Sequence, residues 1–421
     1  MQFSASLPPM RSGLPDDRPL RRLERRLLAY SGLKDLILLY PVYALLFAEH
    51  GLTTAEISSL FALWSVTGLV VEVPSGAWAD LVSRRLLIVV GPLLKAVGCA
   101  LWVLTPSYGT FALGFVLWGT GSALRSGAME ALVYEELERL GAASRYTRLI
   151  GRSAAVSAIA TAAATAAAAP VFAAGGFTAL GVASVVACLL AAAVAALLPE
   201  HRDVRRPEHP GTHTGAGAHT GAGSAYLATL KEGLREVRTG ASVRHALMTT
   251  VLLSTVWEAL DEYVPLLAAE AGAETRDVPF LVLAVWVGVT LGSLLAARAE
   301  HLGARAAGVA LAGAALATVV GTLSGTPAGF LPLALAFLVF QAAEVVAEAR
   351  LQAAITGPSR ATVTSLVGLG TGGSTLMVYV VYGAVSGYTG HGPLFALSAV
   401  PYLLAAVVTF RGRAGAGKVS G

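Results

Sequence analysis

The sequence predicts an all-α polytopic membrane protein of twelve transmembrane helices, arranged as two pseudo-symmetric six-helix bundles. Three observations carry that expectation. Of 421 residues, 55% are hydrophobic and 13% charged, whereas a soluble domain carries about 25% charged residues; this chain has too few polar side chains to cover itself in water. Twelve apolar runs approach or exceed the roughly 20 residues that cross a hydrocarbon core of about 30 Å. Of the 30 Lys and Arg residues, 26 fall in alternate loops and at the two ends. The same composition excludes a fibre, a disordered chain and a disulfide scaffold. Cys99 and Cys188 both lie in apolar runs and behave as small hydrophobes.

The runs come in order as 33–48, 57–78, 86–104, 108–133, 153–173 and 177–198, then a polar stretch, then 245–268, 279–297, 306–323, 330–349, 361–385 and 391–410. The expected organisation is an N-terminal segment 1–32, a first bundle 33–198, a linker 199–244, a second bundle 245–410 and a tail 411–421. The fifth run is rich in Ala and Gly and holds Pro170, which membrane helices tolerate because neighbouring helices satisfy the freed backbone groups.

Orientation follows from the cations. Six arginines precede the first run, Arg84 and Arg85 follow the second, four follow the fourth, seven basic residues lie in the linker, and Arg298, Arg305, Arg350, Arg360, Arg411, Arg413 and Lys418 continue the alternation. The other set of loops contains Arg276 alone, and Lys34, Lys95 and Arg125 lie within runs. Positive residues stay inside, so both ends and the linker are expected to be cytoplasmic in a multi-pass protein of the cell's inner membrane. One missed span would invert every later loop, so the alternation also supports the count. The arginine-rich start leads straight into a long apolar run without a short core and cleavage site, so no cleaved signal is expected.

The linker has two parts. His213-Thr-Gly-Ala-Gly-Ala and His219-Thr-Gly-Ala-Gly are low-complexity repeats whose composition predicts disorder, and their histidines lack Cys or acidic partners at metal-ligand spacing. Residues 225–237 place Tyr226, Leu227, Leu230, Leu234 and Val237 at helical spacing, with Lys231, Arg235 and Arg238 for a polar face. They are expected to form an amphipathic helix on the membrane surface.

The two halves resemble each other. Glu49-x-Gly51 with Trp64 corresponds to Glu270-x-Gly272 with Trp286, Glu130-Ala131 to Glu348-Ala349, and Ser144-Arg145-x-Thr147 to Ser359-Arg360-x-Thr362. A duplicated six-helix unit accounts for these offsets, and parallel repeats of that size are found in secondary transporters.

Between the second and third runs stands Gly76-Ala-Trp-Ala-Asp80-Leu-Val-Ser-Arg84-Arg85. This stretch resembles the loop signature of the major facilitator superfamily, with Gly76, Asp80, Arg84 and Arg85 on matching positions, Trp78 in place of the usual Leu and Ser83 in place of the second Gly. The resemblance implies a latch between the halves in the outward-facing state, and Glu135 and Glu136 after the fourth run are candidate partners for the arginines. Alternatively, Arg84 and Arg85 only set topology. The second copy, Gly292 to Arg298, lacks the Asp, and the antiporter signature of helix 5, a Gly-rich run ending in Gly-Pro, is absent. The family likeness implies efflux of a drug-like or amphipathic compound.

Charges inside the runs are the remaining clue, because each ionised group at mid-membrane costs about 2.5–3.5 kcal/mol and is kept for a partner or a wet cavity. Glu258, Asp261, Glu262 and Pro265 recur at i, i+3, i+4 and i+7, which places three carboxylates on one stripe. Carboxylates crowded in a low dielectric cannot all stay ionised, so the stripe is a candidate proton site, unless Asp261 and Glu262 sit at a wet outer mouth. Glu344 repeats the theme in the tenth run, with Glu348 near the cytoplasmic end. Arg125 and Glu130 are five apart and face different ways, so Arg125 is expected to seek Glu72 or Asp35. Asp35, Glu72, Arg125, Glu130, Glu258, Asp261, Glu262 and Glu344 are therefore the candidate proton or substrate residues. Tyr40, Tyr43, Trp64, Trp257 and Trp286 are candidates for a substrate pocket or for packing.

Gly368-x-Gly370-x-x-Gly373 mimics a dinucleotide fingerprint but lies in an apolar run without a preceding strand, and helix packing explains it better. Gly412 to Lys418 ends in Val419 where a phosphate loop needs Ser or Thr. No hydrolase elbow or zinc-peptidase pair occurs, so an enzyme is not expected. The expectation is a monomeric secondary transporter driven by the proton-motive force, without cofactor or nucleic-acid partner, exporting a small amphipathic molecule. The alternatives are proton-coupled or facilitated uptake of a polar metabolite, and a non-transporting receptor or scaffold on the same fold.

Overall fold

Residues 18–201, 240–355 and 360–411 are described by the computed structural model, and they are helical nearly throughout. The linker helix expected at 225–237 lies outside the described residues. Among the described residues, eight helical stretches are long and apolar enough by themselves to cross a membrane, and one of them, Ala143–Ala196, holds both the fifth and the sixth run. The fourth, seventh and twelfth runs also fall on helices, α5 (Tyr108–Arg139), α7 (Ala241–Asp261) with α8 (Val264–Glu270), and α13 (His391–Leu397) with α14 (Ala399–Arg411), but they do not stand among those eight. In α5 and α7 the reason is the charge that makes them interesting, Arg125 and Glu130 in one and Glu258 and Asp261 in the other.

The first helix differs most from expectation. It starts at Arg18, not near residue 33: α1 (Arg18–Asp35) is followed by a short turn at Tyr40–Val42 and by α2 (Tyr43–Glu49). Five arginines hide an apolar stripe in which Leu20, Leu23, Leu27 and Tyr30 recur every three or four residues, and all four are buried. The stripe packs on α6 (Tyr146–Ala196), where Ser157 donates to the Ser31 carbonyl at 3.2 Å and Glu24 faces Arg145 and Arg152 at 3.9 and 3.8 Å. Residues 18–32 therefore belong to the first bundle.

The remaining spans are α3 (Thr54–Leu81), α4 (Arg84–Leu104), α9 (Val278–Ala299), α10 (Ala304–Leu323), α11 (Phe330–Ala354) and α12 (Arg360–Val385). Caps set their starts: Thr53 and Glu56 form a reciprocal capping box at α3, and Ser107 with Thr110 does the same at α5. α6 turns back at Gly175 and Gly176, the latter at φ +60°, a conformation an L-residue avoids, which separates the fifth span from the sixth.

The internal repeat holds in the backbone. α2 ends with Gly51 N donating to Ala48 O and Leu52 N to Phe47 O; α8 ends with Gly272 N to Ala269 O and Ala273 N to Ala268 O. The two glycines adopt φ +84° and +83°, so both are left-handed helix stops. In each half the first span is broken just before this short helix. Small residues bring other spans together: a Cβ on Gly121 would lie 2.6 Å from the Gly91 carbonyl oxygen, joining α4 to α5, and one on Gly292 would lie 2.3 Å from that of Leu338, joining α9 to α11.

Core packing is unequal at the two ends. One large cluster joins the halves away from the arginines, and includes Tyr43, Phe47 and Phe61 from the first and Tyr263, Tyr379 and Tyr382 from the second. At the arginine-rich end the described residues form separate cores, one around Leu20, Ile88 and Leu137, the other around Val243, Leu351 and Val363.

Candidate functional site: a central cavity between the two halves

Between the halves lies a cavity of about 680 Å³, within the 300–1,000 Å³ range of small-molecule sites. Its first wall carries Trp64, Gly68 and Glu72 of α3 and Ser122, Arg125 and Ser126 of α5; its second carries Ser254 and Glu258 of α7, Glu262, Glu344 and Glu348, and Thr371 and Tyr379 of α12. It reaches through the half of the bundle nearer the arginines, where the two cores part.

The opposite end is sealed by residues of both halves. The phenol of Tyr40 donates to Asp261 Oδ2 at 3.2 Å and Glu262 Oε1 at 3.4 Å, and that of Tyr43 donates to Glu262 Oε2. Glu262 is only 7% exposed, yet it lines the cavity as well as the small pocket under Tyr40 and Tyr43. Beside it, Tyr263 donates to Ser58 at 2.8 Å, stacks on Tyr382 at 3.8 Å between centroids, and meets Phe61 edge-on at 5.3 Å. A Cβ on Gly383 would lie 2.8 Å from that of Ser58, so α3 and α12 touch here. Such aromatic pairs add about 0.5–1.5 kcal/mol each beyond area burial.

The carboxylate stripe is therefore bent by the chain. α7 ends at Asp261, and Glu262 and Tyr263 form a break before α8, which Pro265 opens. Glu258 stays on the helix and faces the cavity, Glu262 faces cavity and seal, and Asp261 turns to Tyr40. Asp261 and Glu262 both accept bonds within the seal, and of the two Glu262 is the buried one. In α11, Glu344 accepts a hydrogen bond from Trp257 Nε1 at 2.8 Å, and Glu348 also lines the cavity.

Other candidates move. Asp35 pairs with Lys34 and does not line the cavity. Glu72 lines it and accepts from Ser126 at 2.8 Å. Arg125 lines it too, but it pairs with neither Asp35 nor Glu72, which are engaged elsewhere; among the described residues it forms no hydrogen bond or ion pair. Glu130 lies on the exposed side of α5 near Tyr146, away from the cavity. Trp64 lines the cavity, Tyr40 and Tyr43 form the seal, Trp257 holds Glu344, and Trp286 is outside the lining. A Cβ on Gly370 would lie 3.1 Å from Val251 Cγ2, so this glycine allows close helix packing as expected, whereas Gly368 faces open space in the cavity wall. Ser254, Thr371 and Tyr379 were not singled out by sequence, since isolated hydroxyls in apolar runs carry no motif.

At the arginine-rich end, Arg84 is ion-paired with Glu135, and Glu200 accepts from the Arg84 backbone N–H at 2.7 Å and from Ser83. Arg85 donates to the Leu198 carbonyl at 3.4 Å. Glu136 pairs with neither arginine of the loop; it binds His201 through the backbone N–H at 2.8 Å and Nδ1 at 2.9 Å, and Arg139 at 3.0 Å. Burial pushes the Glu136 carboxyl upward, but these bonds from His201 and Arg139 outweigh it and hold the group below its ordinary value. All of these partners lie in the first bundle or at the start of the linker. Gly76 and Asp80 fall in α3, in a stretch whose side chains lie outside the description.

Two helical bundles around a polar cavity closed at one end are the architecture of a membrane transporter that moves small molecules. The model of the Major Facilitator Superfamily matches residues 35–346, and the chain belongs to that family. No curated protein matches it by sequence. Among solved structures it is similar to the nucleoside transporter NupG (13% identity, TM-score 0.70, covering 92% of this chain and 99% of that one). A bacterial homologue of the human lysosomal transporter Spinster, in an inward-facing conformation, is 15% identical with TM-score 0.64 over 94% of this chain and 95% of its own. A D-xylose–proton symporter is 13% identical with TM-score 0.65 over 93% and 97%. At these identities the likeness establishes the fold alone.

Proposed function

We propose that the protein is a proton-coupled secondary transporter of the cytoplasmic membrane, with both ends inside, that exports a small amphipathic molecule bearing a cationic group. The observation that carries this reading is the double position of Glu262, in the cavity wall and in the seal between the halves. A proton on Glu262 changes two things at once: the charge offered to a substrate in the cavity, and the strength of the bonds from Tyr40 and Tyr43 that keep the outer end closed. Alternating access needs such a link, because exchange is obligatory only if the group that binds the proton also biases which end is open. Glu258 and Glu344 supply the remaining acidic surface that favours a cation. With the arginine-rich end inside, the closed end faces outward; the partners described for Arg84 and Arg85 come from the first bundle and the start of the linker, and the latch their loop resembles would engage only when the inner ends meet.

A second reading is uptake of a polar metabolite, favoured by Arg125 in the same wall. The two part in proteoliposomes loaded with a pH dye. Export by exchange predicts that ethidium, as an amphipathic cation, moves only against a proton gradient and shifts the dye signal, and that Glu262→Gln abolishes both. Ethidium flux with no proton movement, or an unchanged proton signal in the variant, would overturn the coupling. A protein that moves nothing while residues 199–244 bind a soluble partner would instead be a receptor.

A further inference from the structure

The two walls of the cavity carry opposite kinds of charge. From the second half come Glu258, Glu344 and Glu348, with Glu262 above them, and among the described residues no Lys or Arg from that half lines the cavity. From the first half comes Arg125, whose guanidinium has no hydrogen bond or ion pair among the described residues. Behind it the first half holds two further cations within the apolar runs: Lys34, paired to Asp35, and Lys95, whose ammonium lies 4.3 Å from the centroid of the Trp118 ring. Glu72, the one carboxylate on that wall among the described residues, is engaged by Ser126.

An uncompensated guanidinium at this depth is costly, and a bare cation such as ethidium, although attracted by the acidic wall, would meet it as a like charge and bind more weakly than a molecule that also carries an anion. A bare anion would meet the carboxylates opposite. A molecule carrying both charges satisfies both walls, and Arg125 offers a fork suited to a planar carboxylate. We infer that the carried molecule is zwitterionic, its anionic group on Arg125 and its cationic group on Glu258 and Glu344. The inference rests on the transporter reading and narrows its substrate class. It also gives Arg125 and the acidic wall one shared role, where the readings of export and uptake each used only one of them.

The test is equilibrium binding to the purified full-length protein in detergent, followed by thermal shift and by isothermal titration. The probes are matched triples on three scaffolds, phenylalanine, dileucine and 6-aminohexanoate, each as the zwitterion, as its cation-only amide and as its anion-only N-acetyl derivative. The expected result is that on at least one scaffold the zwitterion binds roughly tenfold or more tightly than either singly charged derivative. Arg125→Gln should lower the zwitterion to the level of its amide, and Glu344→Gln to that of its N-acetyl form. Arg125→Lys, which keeps the charge, should retain part of the preference and guards against a fold defect in the Gln variant. Equal binding of the amide and the zwitterion, a preference unchanged in Arg125→Gln, or no binding on any scaffold would overturn the inference. If proton-driven ethidium efflux persists in that case, the transport reading stands alone; if both fail, both fall.

Discussion

Replacing Tyr43 with Phe isolates the seal. The substitution keeps the ring, which packs against Phe47, Phe61, Trp102 and Phe115 at centroid distances of 5.5–6.0 Å, and removes only the hydroxyl that donates to Glu262. Tyr43 is 3% exposed and Glu262 7%, so water cannot replace the donor without the seal opening. A hydrogen bond to a charged group contributes about 1.5–3 kcal/mol, and this one exists only while the outer end is closed. Losing it shifts the equilibrium toward the outward-open state by roughly ten- to a hundredfold, since about 1.4 kcal/mol is a factor of ten. Tyr40, 3.4 Å from the same carboxylate, takes up part of the loss and favours the lower end of that range. The readout is thiol labelling from outside with a membrane-impermeant maleimide at Ala44→Cys, a residue 1% exposed in the pocket beneath the seal. Cys99 and Cys188 are both buried and contribute little background. Labelling should accelerate at least tenfold in the Tyr43→Phe background. A rate within twofold of the parent would refute the claim that this bond holds the outer end shut.

Two further expectations concern the frame around the site. Gly121→Ala places a methyl 2.6 Å from the Gly91 carbonyl oxygen, where backbone faces backbone and no side chain can yield; it should cost about 1–3 kcal/mol, seen as a lower Tm in detergent, whereas Gly127→Ala, with open space around it, should leave Tm nearly unchanged. Glu136 is held below its ordinary value by His201 and Arg139, so it binds a proton more readily unfolded than folded; its stabilisation is present at neutral pH and lost as pH falls through the carboxylate range, and Glu136→Gln should flatten that part of the Tm profile against pH.

Much of the fold was legible because a membrane span is a one-dimensional signal. Run length and the alternation of arginines depend on neighbours in sequence, and the glycine stops at Gly51 and Gly272 were visible as a repeat before their backbone angles were known. α1 escaped because its stripe of Leu20, Leu23, Leu27 and Tyr30 is interleaved with arginines, which lower mean hydropathy without disturbing a helical face. The candidate site was legible only as a list. The carboxylates of α7 stood out because charge is rare in such runs, but the stripe assumed a continuous helix, and the break at Glu262 sends Asp261 and Glu258 to different surroundings. Glu130 and Glu348 match in the repeat, yet only Glu348 reaches the cavity.

Composition, run length and charge placement by themselves determined that the chain is a helical membrane protein and which few charges it keeps among its apolar residues, and recurring motifs showed that its halves resemble each other. Tertiary structure alone decided what those charges do. Tyr43 and Glu262 are separated by 219 positions, and Arg125 and Glu258 by more than a hundred. Whether a buried carboxylate meets a phenol, a cavity or a counter-ion depends on which helices of the two halves face each other, and neighbours in sequence carry no record of that.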